Sequence, residues 1–176
     1  MKLLSRSLLL ALPLSMLGCA GYQLGNIPSG DMKGVKSIWV PMVKNETFTP
    51  YLAPLVTNAV IHEFSNDGTY QTGRAGASEA TLTLTVVSFN RAAVNYNPNN
   101  STQTTQFRAT LTARATLTNN LTGKVIFKDV PFQGSTDYYV ANFNLGGDNV
   151  EAERQAMPLA AMQAARKIVR QVTEGW

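Results

Sequence analysis

The stretch that most constrains this chain runs from Phe107 to Thr118, where every second residue is apolar. Phe107, Ala109, Leu111, Ala113, Ala115 and Leu117 share one side, while Arg108, Thr110, Thr112, Arg114, Thr116 and Thr118 share the other. Successive side chains of a β-strand point to opposite faces, so this period of two defines a strand with one buried face. Such a strand requires a sheet that packs on one side and meets water or a partner on the other.

Its neighbours are also legible. Thr81 to Val86 alternates threonine with aliphatic residues, and the phase then slips at Val86-Val87, where Val87 and Phe89 take over the apolar positions. That slip predicts a bulge that carries the strand on through Val94 and Tyr96. Asn95 to Ser101, with Pro98 at its centre, predicts a turn or a long hairpin tip. Asn119 to Gly123 turns the chain again, and Lys124 to Thr136 reads as a further strand carrying Val125, Phe127, Val130 and Phe132. Short turns between consecutive strands make these an antiparallel meander. Upstream, Val35 to Val43 is apolar on both sides and fits a central strand ended near Pro41, with a polar loop from Lys44 to Thr49. A short strand is expected around Tyr70 and Gln71.

Two segments carry the helical period instead. Leu52, Leu55, Val56, Ala59, Val60 and Phe64 form the stripe of a helix that starts between Pro50 and Ala53 and stops at Asn66-Asp67-Gly68. From Asp148 to Thr173, Met157, Ala161, Ala164, Ala165, Ile168 and Val172 fall on one side. Acidic residues lie at the start of that segment and Arg166, Lys167 and Arg170 near its end, as the helix dipole favours. Pro158 kinks this helix or marks its true start, and Tyr138 to Gly147 forms a loop before it. The expected fold class is therefore α+β, with two helices on one face of a mostly antiparallel sheet of about four strands, a two-layer sandwich.

The first residues decide where such a domain works. Lys2 and Arg6 precede an apolar run from Leu8 to Leu17 that ends in Leu17-Gly18-Cys19, the layout of a secretory signal. Pro13 and Ser15 interrupt the run, which is about half the ~20 residues of a bilayer-spanning helix. Cys19 is the one cysteine among 176 residues. It has no internal disulfide partner, and its setting resembles the lipobox of bacterial lipoproteins, in which the cysteine is acylated and becomes the first mature residue. Several acyl chains together anchor stably. Residues 1–18 are then a signal peptide, 19–34 a lipidated tether rich in Gly, Pro and Ser, and 35–176 a single domain. By the lipoprotein rule, Ala20 rather than Asp after the cysteine points to the outer membrane. From Ala20 to Gly34 the tether reaches about 50 Å at full extension, which holds the domain near its membrane.

Removing Lys2 and Arg6 with the signal leaves 13 basic against 11 acidic residues, a net charge of +2. The sequence pI near 9.3 is thus no nucleic-acid signature, which would need a clustered basic face. Nor do the residues assemble chemistry. His62 is the sole histidine, on a helix between Ile61 and Glu63. With the cysteine committed to lipid, no nucleophile–base pair, metal cluster, paired carboxylates or phosphate loop stands out, and neither a cofactor nor catalysis is expected.

Gly21-Tyr22-Gln23-Leu24 after the cysteine, then Ile38-Trp39-Val40-Pro41, Asn45-Glu46-Thr47-Phe48 and Thr57-Asn58-Ala59-Val60 resemble the lipopolysaccharide-assembly lipoprotein family LptE. The threonine-rich meander, Gly123 in its turn and the Ala/Arg-rich last helix continue the resemblance to Trp176. It implies an outer-membrane lipoprotein that plugs a large LptD-type β-barrel, aids its assembly and helps deliver lipopolysaccharide to the cell surface. Arg91, Arg108 and Arg114 are candidate contacts for lipopolysaccharide phosphates, and Asn95, Tyr96, Asn97 and Pro98 for a partner reached by the hairpin tip. A second reading remains open from the sequence, because other envelope lipoproteins share the strand–helix opening: a regulator that binds a peptidoglycan synthase or a secretion pore.

Overall fold

The computed structural model describes residues 30–140 and 146–175. In chain order its elements are β1 (Ser37–Trp39), β2 (Lys44–Asn45), α1 (Leu52–Asp67), β3 (Gln71–Thr72), β4 (Ala80–Asn97), β5 (Asn100–Asn119), β6 (Val125–Tyr139) and α2 (Gly146–Glu174). The alternating run is the body of β5, between β4 and β6 and antiparallel to both. Its odd-numbered residues Ala109 to Leu117 are all fully buried. Leu82, Leu84 and Val86 of β4 stand opposite Leu117, Ala115 and Ala113. The expected bulge lies between Val86 and Ser88. Its extra residue inverts the phase of β4, so that half-buried Phe89 and exposed Arg91, opposite Leu111 and Ala109, turn to the helix-covered side.

The sheet has six strands in the order β3-β1-β4-β5-β6, with β2 also on β4, and it is mixed rather than mostly antiparallel. β1 pairs in parallel with β3 and β4, and β2 in parallel with β4. β1 ends at Trp39, just before Pro41, where the stop was expected, because Pro41 has no N–H for a ladder. Between Trp39 opposite Thr81 and Lys44 opposite Thr85, the outer chain uses one residue more than β4. α1 provides the crossover that parallel pairing of β1 and β3 requires. Strands of two residues carry no periodicity, so β2 lay hidden in an expected loop. The hairpin tip is also tighter than expected: strand pairing continues to Asn97 opposite Asn100, and the turn itself is Pro98-Asn99. β6 runs on to Tyr139, three residues beyond its expected end.

α1 begins at Leu52 and buries Leu52, Val56, Val60 and Phe64. Gly68, at φ 74°, donates its N–H to the Phe64 carbonyl and ends the helix. α2 continues through Pro158. Both helices cover the same sheet face, and α2 rests on it through Ala156, Ala160, Ala161, Ala164 and Ala165, all buried. The approach is closest at Gly134 of β6, where a Cβ would stand 2.0 Å from the Ala160 carbonyl oxygen and 2.5 Å from the Ala164 nitrogen. Only glycine fits there. Within the stretch expected as tether, Gly30–Met32 forms a 3-10 turn, and Met32 is buried in the main core. Asp31 ties this turn to the β5–β6 connection through Lys124 at 2.7 Å.

The start of β1 is held by one carboxylate. The Lys36 and Ser37 amides and the Ser37 hydroxyl donate to Glu79 Oε2 at 3.2, 2.7 and 2.6 Å. These bonds, the Ser37 hydroxyl foremost, hold the Glu79 carboxyl below its usual range.

Two outcomes follow for stability. Gly134→Ala should destabilise the fold by about 1–3 kcal/mol through overpacking, measured by urea unfolding, while Ser135→Ala on the opposite face should change it little. A carboxyl with a lowered folded pKa contributes stability above its unfolded pKa and loses it as pH falls through the folded one. Wild-type protein should therefore lose stability more steeply below about pH 4.5 than Glu79→Gln, as followed by thermal melts across an acid series.

Candidate functional site

With both helices on one face, the other face of the sheet is left uncovered by any described element. Thr81, Thr83 and Thr85 of β4 and Thr110, Thr112, Thr116 and Thr118 of β5 project there, joined by Gln133 and Ser135 of β6. Thr81 faces Thr118 and Thr83 faces Thr116 across the ladder. The surface is rich in hydroxyls, each both donor and acceptor, and two ion pairs interrupt it.

Those pairs involve two of the three candidate arginines. Arg108 grips Asp137 with Nε and Nη2 at 2.6 and 2.9 Å, a two-pronged contact. The Arg108 hydrogen bonds hold the Asp137 carboxyl below its usual range, and Asp137 raises the guanidinium in turn. Arg114 Nη1 donates to Asp129 at 2.6 Å. Asp129 occupies the left-handed region at φ 56°, and its N–H donates to Thr116 Oγ1. An irregularity in the ladder between Ala115 and Leu117 thus brings Asp129 to Arg114.

Arg91 lies on the helix-covered side, because the bulge has already inverted β4. It pairs with Glu153 of α2 at 3.0 Å and its guanidinium stands 5.7 Å from the centre of the Phe107 ring. Phe107 in turn stacks on Tyr138. The structure brings Arg108 and Arg114 to one face and puts Arg91 on the other, and each has a carboxylate partner within the chain. Sequence spacing missed those partners, which come from distant elements.

The hairpin arm extends past β6, whose pairing with β5 ends at Gln106 opposite Tyr139. From Ala92 to Phe107 the arm contains no charged residue. Cross-strand amides stiffen it: Asn95 bonds to Gln106, and Asn97 Nδ2 donates to Gln103 at 3.0 Å. Tyr96 and Pro98 are exposed near its end.

The polar loop expected between Lys44 and Thr49 carries a feature its sequence did not show, an aromatic side chain held outward. Asn45 Oδ1 accepts from the Thr47 amide and hydroxyl, and Asn45 Nδ2 donates to the Thr49 carbonyl. This tight loop leaves Phe48 wholly exposed, beside Tyr51, which holds the left-handed φ of 64°. With Pro54, Leu55, Met157 and Pro158 they border a groove of about 970 Å³ between the start of α1 and α2. The local signal was the Asn45-Glu46-Thr47 triplet, whose side-chain-to-backbone bonds favour turns. His62 is exposed and hydrogen-bonds Asn66 one turn on. Cys19 and the signal segment lie outside the described residues. Among the described residues no cluster has the makings of a metal site, and no helix is long and apolar enough to cross a membrane.

A mixed sheet backed by two helices on one side and left open on the other, with a long polar hairpin arm, defines the class: a two-layer α+β domain with one sheet face uncovered by any described element. The family is specific. The chain matches the LptE lipopolysaccharide-assembly family over residues 35–172 and belongs to it. Among solved structures it is similar to a hypothetical protein from Chlamydia trachomatis, at 10% identity and a TM-score of 0.56, covering 81% of this chain and 97% of that one. A protein from Xanthomonas campestris has 14% identity and a TM-score of 0.55, with 80% and 86% covered. An uncharacterized lipoprotein B from Nitrosomonas europaea has 10% identity and a TM-score of 0.50, with 79% and 83% covered. At these identities the likeness is one of fold. No curated protein sequence matches.

The open-face arginines are more than half exposed or close to it, at 52% for Arg108 and 49% for Arg114. Arg108→Ala and Arg114→Ala should each leave the denaturation midpoint close to that of the wild type, because exposed ion pairs contribute little. Chemical denaturation of the two variants beside the wild type measures this.

Proposed function

We propose that this chain is a lipid-anchored outer-membrane protein, acylated at Cys19, that docks its open sheet face against the inner wall of a large LptD-type β-barrel. In that position it supports barrel assembly and the insertion of lipopolysaccharide at the cell surface. The observation that carries the reading is the uncovered hydroxyl-rich face. A barrel lumen is polar, and a threonine surface with its charges internally paired meets such a wall without stranding a charge.

Membership in a lipopolysaccharide-assembly family supports the same reading. Of the three arginines, Arg108 and Arg114 share the docking face and are the ones we assign to lipopolysaccharide phosphate or to the barrel. A phosphate there competes with Asp137 and Asp129 for guanidiniums already held in a fork or a single bond. Arg91 faces α2, and in this reading it contributes by fixing that helix. The arm residues Asn95, Tyr96, Asn97 and Pro98 reach beyond the body of the sheet toward a second contact.

The test is a mild-detergent pull-down of the tagged, lipidated chain from outer membranes, followed by a high-salt wash. We expect a large β-barrel at about one-to-one stoichiometry, and reduced recovery with Arg108→Glu plus Arg114→Glu. Recovery of the chain alone, or with a soluble murein synthase, would overturn the reading, as would normal surface lipopolysaccharide after depletion.

A further inference from the structure

The two long edges of this sheet are treated in opposite ways. β6 is protected along its outer edge. Pro131 offers no N–H, Asp129 kinks the strand, and Lys167 donates to the Gln133 carbonyl at 2.8 Å. These are the devices by which proteins blunt an edge against strand pairing. The third edge element, β3, has only two residues.

The outer edge of β4 is different. β1 and β2 cover it only as far as Val86, whose carbonyl accepts from Glu46 N–H at 2.9 Å. Beyond the bulge, Ser88 to Ala93 keeps regular register with Thr112 to Phe107 on one side. No described strand or backbone bond meets it on the other. The direction of its polar groups follows from its neighbours. The Thr105 carbonyl points to β6, accepting from Val140 N–H at 3.0 Å, so odd residues of this stretch of β5 bond β6 and even ones bond β4. Opposite the odd residues Leu111, Ala109 and Phe107 stand Phe89, Arg91 and Ala93. The N–H and C=O groups of these three therefore face outward, with no backbone partner among the described residues. The only charged side chain on the stretch, Arg91, turns to Glu153. Nothing here repels another strand.

We propose that the free edge of β4, Ser88–Ala93, is a strand-addition site that takes an extended, uncharged segment of the β-barrel partner. The proposal rests on the barrel reading given above. Unpaired main-chain donors and acceptors at strand spacing are complementary to another extended backbone and to little else. A second copy of this chain is the weaker occupant. The chain joins the domain at Gly30–Met32, beside Lys124 and at the opposite end of β4 from the arm. An antiparallel two-fold pair of arms would put the two anchored ends at opposite ends of the pair, where one membrane face cannot hold both.

The experiment compares full-length lipidated wild type with Ala93→Pro and Ala93→Thr, in the pull-down with the barrel. Both variants change the side chain, but only proline deletes the outward N–H, at a position where edge strands accept it. Ala93→Thr should recover the barrel as wild type does, and Ala93→Pro about tenfold less. Equal recovery for both variants, whether full or reduced, overturns the proposal and leaves the barrel reading intact. Absence of the barrel from the wild-type eluate overturns the barrel reading itself. Amide exchange on the wild type supplies a readout that does not depend on how the proline variant folds. The amides of Phe89, Arg91 and Ala93 should exchange freely in the isolated chain and slow at least about tenfold in the complex. Protection already present in the isolated chain, whether from another copy or from its own N-terminal segment, overturns the proposal, as does unchanged exchange in the complex.

Discussion

Helix α2 reaches the sheet because Gly134 has no side chain. The carbonyl of Ala160 and the amide of Ala164 occupy the space that any Cβ at position 134 would take. The alanines at 156, 160, 161, 164 and 165 extend that close approach along the helix, each burying little area but leaving no gap. Small residues on both partners draw backbone to backbone. The approach also fixes which face of the sheet is covered, since α1 packs against α2 on the same side. The opposite face is thereby free for the hydroxyl array, and Arg108 and Arg114 stand out on it while exposed Arg91, on the other side, pairs with Glu153 of α2.

A second constraint sits at Val87. One extra residue in β4 inverts its alternation, so the strand can offer Leu82, Leu84 and Val86 to the core and then continue with Phe89. Without the bulge, the even phase would have set Asn90 against the core and Phe89 in water. The register of the arm, and with it the direction of each outward amide, descends from that single residue.

How much of this could be read from the chain depended on the length of each element. β4, β5 and α1 were legible because they repeat a period several times, and Gly68 marks its stop without tertiary help. β2 was not, since two residues cannot show a period and it exists because β4 offers it a ladder, whereas the short strand expected around Tyr70 and Gln71 is β3. The end of the arm, Asn95 to Ser101, read as a turn or long hairpin tip because Asn and Pro are turn formers. Cross-strand amide bonds of Asn95 and Asn97 made most of it strand. For the candidate site, the polarity of the open face was plain in the alternation of threonine. The partners of the arginines were not: Asp129, Asp137 and Glu153 lie 15, 29 and 62 residues away. Phe48 drew notice only as part of a motif, since nothing in the sequence distinguishes an aromatic held outward by an Asn45 turn from one folded inward.

Length connects the fold to the proposed setting. β4 has 18 residues, which at about 3.3 Å each is roughly 60 Å of strand before twist shortens it. The hydrocarbon core of a bilayer is about 30 Å thick. The point where the chain joins the domain and the Pro98-Asn99 turn stand at opposite ends of that strand. A domain tethered at the inner leaflet, with β4 along the axis of a barrel, would therefore present its body below or within the membrane and its uncharged arm at the far mouth. The lack of charge from Ala92 to Phe107 suits that passage, because a charged arm would leave water for a confined lumen at a desolvation cost that amides and hydroxyls, bonded to one another across the hairpin, largely avoid.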